Sequence, residues 1–316
     1  MFKSKNGKIS PGWLIVGVTV AFFVVIGILS AVIGIIVGAI LLQNGELDPS
    51  TLEFSESGNK VMSNINLIGM FLQEIVLIII PILAWKYIKK RTLSNMGLSS
   101  LKDHSKELLV GLLFGIVSIS VVFAAIVLSG NAVIESWTPH FSLDTILYLL
   151  LFIMVGLAEE IYGRGFIMSA LRQTKNVPVV VIVSSCIFAF LHSSNSGIGA
   201  LPYINLTLVG ALFAYMYLKS GNIWMSIGYH ITWNYFQGNV FGFKVSGLAT
   251  EGILTTTYES NTILNGGAFG PEGGLFVTAI LLLGFLFVNR FYKDKSFDFF
   301  STEDEVKVEF PVQGME

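Results

Sequence analysis

Long apolar runs separated by short polar segments make up most of the chain. A helix that spans a bilayer needs about 20 consecutive apolar residues. On that criterion the sequence predicts about eight spans, at residues 13–42, 65–85, 108–128, 146–171, 177–191, 201–218, 223–241 and 275–288. The fifth run is short, and the first is long enough to tilt or to extend beyond the bilayer. The pattern predicts an all-α fold, namely a polytopic membrane helix bundle.

Composition supports a membrane protein. Hydrophobic residues make up 53% of the 316 residues and charged residues only 13%, whereas about 25% of a soluble domain is charged. The formal net charge of -2 gives no basic surface, so we expect no nucleic-acid partner. A single cysteine, Cys186, excludes an internal disulfide framework and a cysteine-based metal cluster.

The distribution of Lys and Arg predicts the orientation, because short cytoplasmic loops carry most of these residues in membrane proteins. With a cytoplasmic N-terminus, only Lys60 and Lys244 of the 19 Lys and Arg residues fall in outer loops, and Arg164 falls within a span. We therefore expect both termini in the cytoplasm and the protein in the lipid bilayer of the plasma membrane.

Two adjacent glutamates and an arginine interrupt the fourth apolar run. Ionisable residues inside a membrane are costly and usually functional. Glu160 and Arg164 are four residues apart, so on a helix they share a face and can form an ion pair. Glu159 points about 100° away from Glu160 and is free to face another cavity. Gly163 and Gly165 leave room for a neighbouring helix or for water to approach.

Polar residues on two later helices are predicted to reach the same membrane level. His192 ends the fifth run, and His230 and Asn234 share a face of the seventh. With about 1.5 Å of rise per residue, Glu159, His192 and Asn234 lie roughly 18 to 22 Å from the cytoplasmic ends of their helices, and His230 is one turn shallower. This convergence predicts a single site.

These residues suit the hydrolysis of a peptide bond. Glu159 can act as a general base for water, and an imidazole together with the Asn234 amide can donate hydrogen bonds to the developing oxyanion. A second use of the same atoms is a zinc site formed by Glu159, His192 and His230, with one position left for water. The sequence lacks the His-Glu-x-x-His motif of common zinc proteases, so we favour glutamate-activated water without a tightly bound metal, with zinc as the alternative cofactor.

Three motifs resemble those of the CAAX protease and bacteriocin-processing (CPBP, also called Abi) family of intramembrane proteases, which includes the eukaryotic type II CAAX prenyl endopeptidase. They are Glu159-Glu160-x-x-x-Arg164, Phe188-x-x-x-His192 and His230-x-x-x-Asn234, in that order on successive helices. The resemblance implies that Glu159 activates the water, His192 orients it or the intermediate, and His230 with Asn234 forms the oxyanion pocket. Glu160 and Arg164 are implied to be a supporting pair.

The resemblance covers about residues 146–237, which we interpret as the catalytic core. Residues 1–145 form the N-terminal spans, and 275–316 form the last span and a charged tail that we expect to be disordered. Residues 238–274 form an outer loop rich in Gly, Thr and Asn. It is longer than a simple turn requires, so it either folds over the mouth of the bundle or is disordered.

The expected substrate is a membrane-associated peptide or protein. A prenylated C-terminal motif, as in the eukaryotic relatives, and a signal-like or propeptide segment are equally open. The alternative function is that of a non-enzymatic immunity or scaffold membrane protein, or of a proton-linked transporter, in which the same acids and histidines hold a partner or relay protons. The sequence has no internal repeat of the kind that many transporters share.

Overall fold

The computed structural model describes residues 10–136, 139, 141–295 and 297–301. These residues fall into two compact units, which divide between Pro81 and Ile82. The described residues do not include the three N-terminal lysines, Lys3, Lys5 and Lys8. They also do not include the tail after Ser301, which the sequence predicts to be disordered.

The first unit consists mainly of two long helices. Helix α1 spans Pro11–Gln43, and its proline stands in the first turn, where no backbone donor is needed. Helix α2 spans Glu56–Leu83 and continues as a short π-helical segment, Ala84–Ile88. Helix α2 begins nine residues before the predicted apolar run, because polar residues of its first turns also adopt helical geometry.

The second unit contains the remaining helices. They are α3 (Leu101–Leu128), α4 (Leu143–Glu160), α5 (Ser169–Leu171), α6 (Val177–Leu191), α7 (Ala200–Ser220), α8 (Trp224–Tyr235) and α9 (Leu275–Phe291). Two π-helical segments, Ile161–Met168 and Phe236–Val240, continue α4 and α8. Short 3-10 turns lie at Leu93–Met96, Arg172–Thr174, Gly267–Phe269 and Pro271–Gly273.

A helix lies at each of the eight predicted apolar runs, so the predicted mainly helical fold is confirmed. Within the described part of the chain, five helical stretches are long and apolar enough to cross a membrane, namely Pro11–Gln43, Glu56–Ile88, Leu93–Leu128, Leu143–Thr174 and Ala200–Ser220. Two further apolar helices, Val177–Leu191 and Leu275–Phe291, are shorter. The protein is an integral membrane protein; the count of eight spans and the cytoplasmic position of both termini stay predictions.

A small antiparallel ribbon departs from the all-helical prediction. Strand β1 (Val133–Ser136) pairs with strand β2 (Thr255–Thr257), and the register shifts between Ile134 and Ser136. Each strand has only three or four residues, too few to produce a recognisable alternation of apolar and polar positions. The ribbon ties the segment after α3 to the long loop that precedes α9.

Helix α8 packs closely against α3 through small residues. A side chain at Gly111 of α3 would overlap the backbone of Met225, and one at Gly115 would overlap Thr232 and the Tyr229 carbonyl. The Thr232 hydroxyl also donates a hydrogen bond to the Leu112 carbonyl of α3, at 2.8 Å. Small residues let helices in a membrane approach until van der Waals contacts and such bonds form. Helix α8 is therefore held from the α3 side.

The long loop, defined here as residues 242–274, is folded. Side chains of the preceding segment hold its start: Gln237 donates to the Lys244 carbonyl at 2.7 Å, and Asn239 donates to the Glu251 carbonyl at 2.8 Å. Near its end, the buried side chain of Asn265 donates to the carbonyls of Asn131 and Ser260. Of the two alternatives that the sequence left open, the structure has the folded loop.

Candidate functional site

Helix α4 delivers the two adjacent glutamates at its C-terminal end. Its N-terminus is fixed by a reciprocal cap, in which the Ser142 hydroxyl accepts from the Thr145 amide and the Thr145 hydroxyl accepts from the Ser142 amide. The wide π-helical turn Ile161–Met168 starts directly after Glu160. Such turns inside α-helices often mark functional sites, and a second one follows Asn234 within two residues.

Glu160 and Arg164 form the buried ion pair that their spacing predicted. Arg164 Nη1 lies 2.9 Å from Glu160 Oε1, and neither side chain is exposed. Arg164 Nη2 donates to the Gly210 carbonyl at 3.3 Å. The guanidinium lies between two aromatic rings, with its central carbon 4.5 Å from the centroid of Phe188 and 5.0 Å from that of Phe213. Cation–π attraction and hydrogen bonds offset part of the cost of burying this charge.

His230 faces both glutamates. Its Nδ1 atom lies 3.4 Å from Glu160 Oε1, and its Nε2 atom lies 3.8 Å from Glu159 Oε2. The ring also packs against Phe213, with centroids 5.6 Å apart. Glu160, which binds Arg164, therefore faces Nδ1 of His230, and Glu159 faces Nε2.

The two glutamates differ in their surroundings. The side chain of Glu160 is 0% exposed, whereas that of Glu159 is 20% exposed. Glu159 Oε2 is buried and has no hydrogen-bond partner among the described residues. Glu160 Oε2 is likewise buried without a hydrogen-bond partner among the described residues. The two glutamates differ in that Glu160 is fully enclosed and binds Arg164 through Oε1, whereas Glu159 is partly exposed.

His192 caps the C-terminus of α6 and has a defined tautomer. Its Nδ1 atom lies 2.9 Å from the Phe188 carbonyl oxygen. A carbonyl oxygen only accepts hydrogen bonds, so Nδ1 carries a hydrogen, and in the neutral ring Nε2 then keeps its lone pair. The Phe188 ring connects the two histidines, because its centroid lies 4.9 Å from that of His192 and 6.1 Å from that of His230.

Asn234 lies one turn after His230 on α8 and is buried. Among the described residues, no hydrogen bond joins it to the other predicted site residues. The structure thus brings Glu159, Glu160, Arg164 and His230 into direct contact. His192 is connected to them through one phenylalanine ring, and Asn234 through its helix.

Gly163 and Gly165 have different surroundings. A Cβ at Gly165 would lie 3.3 Å from the Met96 carbonyl oxygen, so Gly165 permits a neighbouring segment to approach. Gly163 is buried, yet no heavy atom of the described residues beyond its own helix turns lies within 4 Å of the place of its Cβ. Gly163 follows Glu159 by four residues, so the two share a helix face. Open space therefore lies next to the carboxylate of Glu159.

The zinc alternative requires three ligands around one point. Among the described residues, no group of three His, Cys, Asp or Glu side chains is arranged to hold a metal ion. His230 is oriented with its two nitrogens toward different carboxylates, and the Phe188 ring packs against both His192 and His230. The side chains as placed do not fit the three-ligand set Glu159, His192 and His230.

Motif reasoning did not find a third carboxylate, Glu272, in the long loop. Its Oε2 atom accepts hydrogen bonds from the Ser246 amide at 2.6 Å and the Ser246 hydroxyl at 2.7 Å. Burial raises the pKa of the Glu272 carboxyl, and the Ser246 bonds and the charges of His192 and His230 act in the opposite direction. An acid in the glycine-rich stretch 270–274, just before the last apolar helix, was the only available signal in the sequence.

A family model described as Rce1-like, type II CAAX prenyl endopeptidase, matches residues 140–236. The matched segment contains all three motifs, so the resemblance that they indicated is confirmed for this part of the chain. No curated protein and no solved structure gives a significant match.

Proposed function

We propose that this protein is an intramembrane endopeptidase that hydrolyses a peptide bond of a membrane-associated peptide or protein with water activated by Glu159. The observation that carries the proposal is the contact of His230 Nε2 with Glu159 Oε2 at 3.8 Å, within the segment that matches a family of prenyl endopeptidases. Hydrolysis needs a base for water and donors for the oxyanion, and this segment contains residue types for both.

The proposed first step begins with a water molecule beside Glu159. The carboxylate takes one proton from the water, and the water oxygen forms a bond to the carbonyl carbon of the substrate. The carbonyl π electrons move to its oxygen, and the oxyanion accepts hydrogen bonds from His230 and Asn234. Donors of this kind are worth about 10²- to 10³-fold in kcat. His192, through Nε2, orients the water or the intermediate.

The proposed second step breaks the carbon–nitrogen bond. The oxyanion electrons re-form the carbonyl as this bond breaks, and Glu159 returns its proton to the nitrogen of the departing amine. The acid product then loses its remaining water-derived proton to the amine or to solvent and leaves as a carboxylate. The proton is thus taken from water and delivered to the leaving group by one residue, which microscopic reversibility permits. Glu160 and Arg164 act as positioning residues, because the carboxylate of Glu160 faces Nδ1 of His230.

The proposal is tested with purified protein in detergent or vesicles and two substrate classes, a prenylated peptide with a C-terminal CAAX sequence and a peptide with a signal-like apolar segment. We expect the wild type to cleave at least one class. Glu159→Gln keeps the shape of the side chain and removes the base, so its kcat is expected to fall by about 10²- to 10⁴-fold. Equal cleavage by the wild type and Glu159→Gln contradicts the proposed role.

The same assay separates the two cofactor models. A chelator that leaves cleavage unchanged, with no metal in the purified protein, supports glutamate-activated water. Loss of cleavage that added zinc restores supports the metal model instead. If replacement of Glu159 and His230 together leaves the cellular function and the protein level unchanged, the scaffold function is favoured over the enzyme.

A further inference from the structure

The segment that follows His192 is connected to the long loop (242–274). The Asn195 amide donates to the His192 carbonyl at 3.0 Å, and the Asn195 side chain donates to the Ser246 carbonyl at 2.9 Å. Any side chain at Gly247 would overlap the Ser196 backbone, and the Gly247 amide donates to the Phe269 carbonyl. The position of His192 therefore depends on the long loop as well as on α6.

Glu272 holds Ser246, the residue through which the long loop contacts the segment after His192. Ser246 has a positive φ of 48°, a conformation that residues other than glycine adopt at some energetic cost. Its amide and hydroxyl both donate to the same carboxylate oxygen of Glu272, and such charge-assisted bonds are about twice as strong as neutral ones. The Glu272 carbonyl in turn accepts from the Asn205 side chain of α7 at 2.8 Å. Glu272 is thus held through its side chain by Ser246 and through its backbone carbonyl by Asn205.

The carboxylate of Glu272 is linked to the His192 segment by hydrogen bonds. Glu272 accepts from Ser246, the Ser246 carbonyl accepts from Asn195, and the Asn195 amide donates to the His192 carbonyl. Burial raises the pKa of the Glu272 carboxyl, and the charges of His192 and His230 act in the opposite direction. The side chain of Phe269, three residues earlier, is fully buried in a cluster with Phe188 and Ala189 of α6. The long loop therefore packs against α6 beside the residues that precede His192.

We propose that Glu272 is a positioning residue of this site, which holds the His192 segment through Ser246 and Asn195 and places a negative charge near the His192 imidazole. This inference rests on the proposed function. Its physical basis is that a fixed carboxylate favours an imidazole that donates a hydrogen bond or carries positive charge in the transition state. Glu272 does not touch the substrate in this proposal and acts through His192.

Two substitutions separate the two parts of this role. Glu272→Gln keeps an oxygen that accepts from Ser246 and removes the charge, whereas Glu272→Ala removes both. Glu259→Gln is the matched control, because Glu259 is an exposed carboxylate of the same loop. For Glu272→Gln we expect kcat to fall by roughly tenfold or more, with KM within about twofold, and we expect no change for the control.

Hydrogen exchange of the amides of residues 193–198 gives a readout that does not need activity. We expect clearly faster exchange in Glu272→Ala and a smaller increase in Glu272→Gln, because the first variant loses the bonds to Ser246 and the second keeps them in a weaker, neutral form. Unchanged exchange in Glu272→Ala overturns the positioning role, and unchanged kcat in Glu272→Gln overturns the role of the charge. If the wild type cleaves no substrate, the proposed function fails, while the exchange result still decides whether Glu272 holds the His192 segment.

Discussion

His230 and Glu159 lie on different helices, and their side chains meet with Nε2 of the imidazole 3.8 Å from Oε2 of the carboxylate. The other ring nitrogen lies 3.4 Å from Glu160. Because Arg164 binds Glu160, the orientation of the imidazole depends on an ion pair that does not include Glu159. The supporting pair therefore affects both the stability of the fold and the alignment of the site.

The Glu160–Arg164 pair is expected to stabilise the protein only as a pair. Arg164→Met leaves a buried carboxylate without its main partner, which is expected to destabilise the fold by about 3 to 5 kcal/mol. The double variant Glu160→Leu with Arg164→Met removes both charges, so its loss is expected to be much smaller than the sum of the two single losses. A double-mutant cycle of unfolding free energies in mixed micelles measures this.

The Glu107–Lys295 pair provides the control for burial. Its two charged atoms lie 2.8 Å apart, but the Lys295 side chain is 59% exposed. Lys295→Met is therefore expected to lose no more than about 1 kcal/mol. If Arg164→Met lowers the unfolding free energy as little as Lys295→Met does, burial is not what makes the Glu160–Arg164 pair important for stability.

Periodicity and spacing were sufficient to predict the helices and the ion pair. Apolar runs of sufficient length must be helical in a membrane, because every backbone polar group has to be satisfied within the segment. A spacing of four residues places Glu160 and Arg164 on one face whatever the remainder of the fold does. Counting residues along a helix gives depth, and depth predicted that Glu159, His192 and Asn234 reach a similar membrane level, with His230 about one turn shallower.

The remaining features depend on tertiary structure. The wide turn Ile161–Met168 has no distinct sequence pattern, and the ribbon of Val133–Ser136 with Thr255–Thr257 joins segments far apart in the chain. The bonds between Glu272 and Ser246 are formed within a loop that lacks regular periodicity. Depth along a helix also says nothing of rotation about its axis, so the packing of both His192 and His230 against the Phe188 ring could not be derived.

The tautomer of His192 leads to a prediction for two substitutions of similar polarity. Nδ1 donates to the Phe188 carbonyl, so Nε2 is the nitrogen available to water or to the intermediate. The amide of Gln reaches the place of Nε2, and the shorter amide of Asn reaches only that of Nδ1. We expect kcat/KM to be about tenfold higher in His192→Gln than in His192→Asn, as for one hydrogen bond. Higher activity in the Asn variant than in the Gln variant contradicts this prediction and means that Nδ1, not Nε2, is the nitrogen that acts on water or the intermediate.

Asn234 is expected to contribute to the transition state rather than to substrate binding. Asn234→Ala removes an amide donor, so kcat is expected to fall by about 10²- to 10³-fold while KM changes little. Steady-state kinetics on any cleaved peptide provides the measurement, with the melting temperature as the check on folding. A rise in KM at unchanged kcat places Asn234 in substrate binding instead.

Substitution by a larger residue is expected to affect cleavage at position 163 and folding stability at position 165. Space lies open beside Gly163, whereas the Met96 backbone lies 3.3 Å from the place of a Cβ at Gly165. Gly163→Leu is therefore expected to fold normally and to lose cleavage, because its side chain fills the space next to Glu159. Gly165→Leu is expected to be destabilised by about 1 to 3 kcal/mol, as overpacked sites are.

The alanine variant at position 163 shows whether size is the cause. Gly163→Ala adds one methyl group with nothing within 4 Å, and alanine favours the helix by roughly 0.5 to 1 kcal/mol relative to glycine. We expect Gly163→Ala to keep wild-type cleavage and to melt at the same or a higher temperature. Full cleavage by a folded Gly163→Leu protein means that the substrate does not approach Glu159 past this glycine.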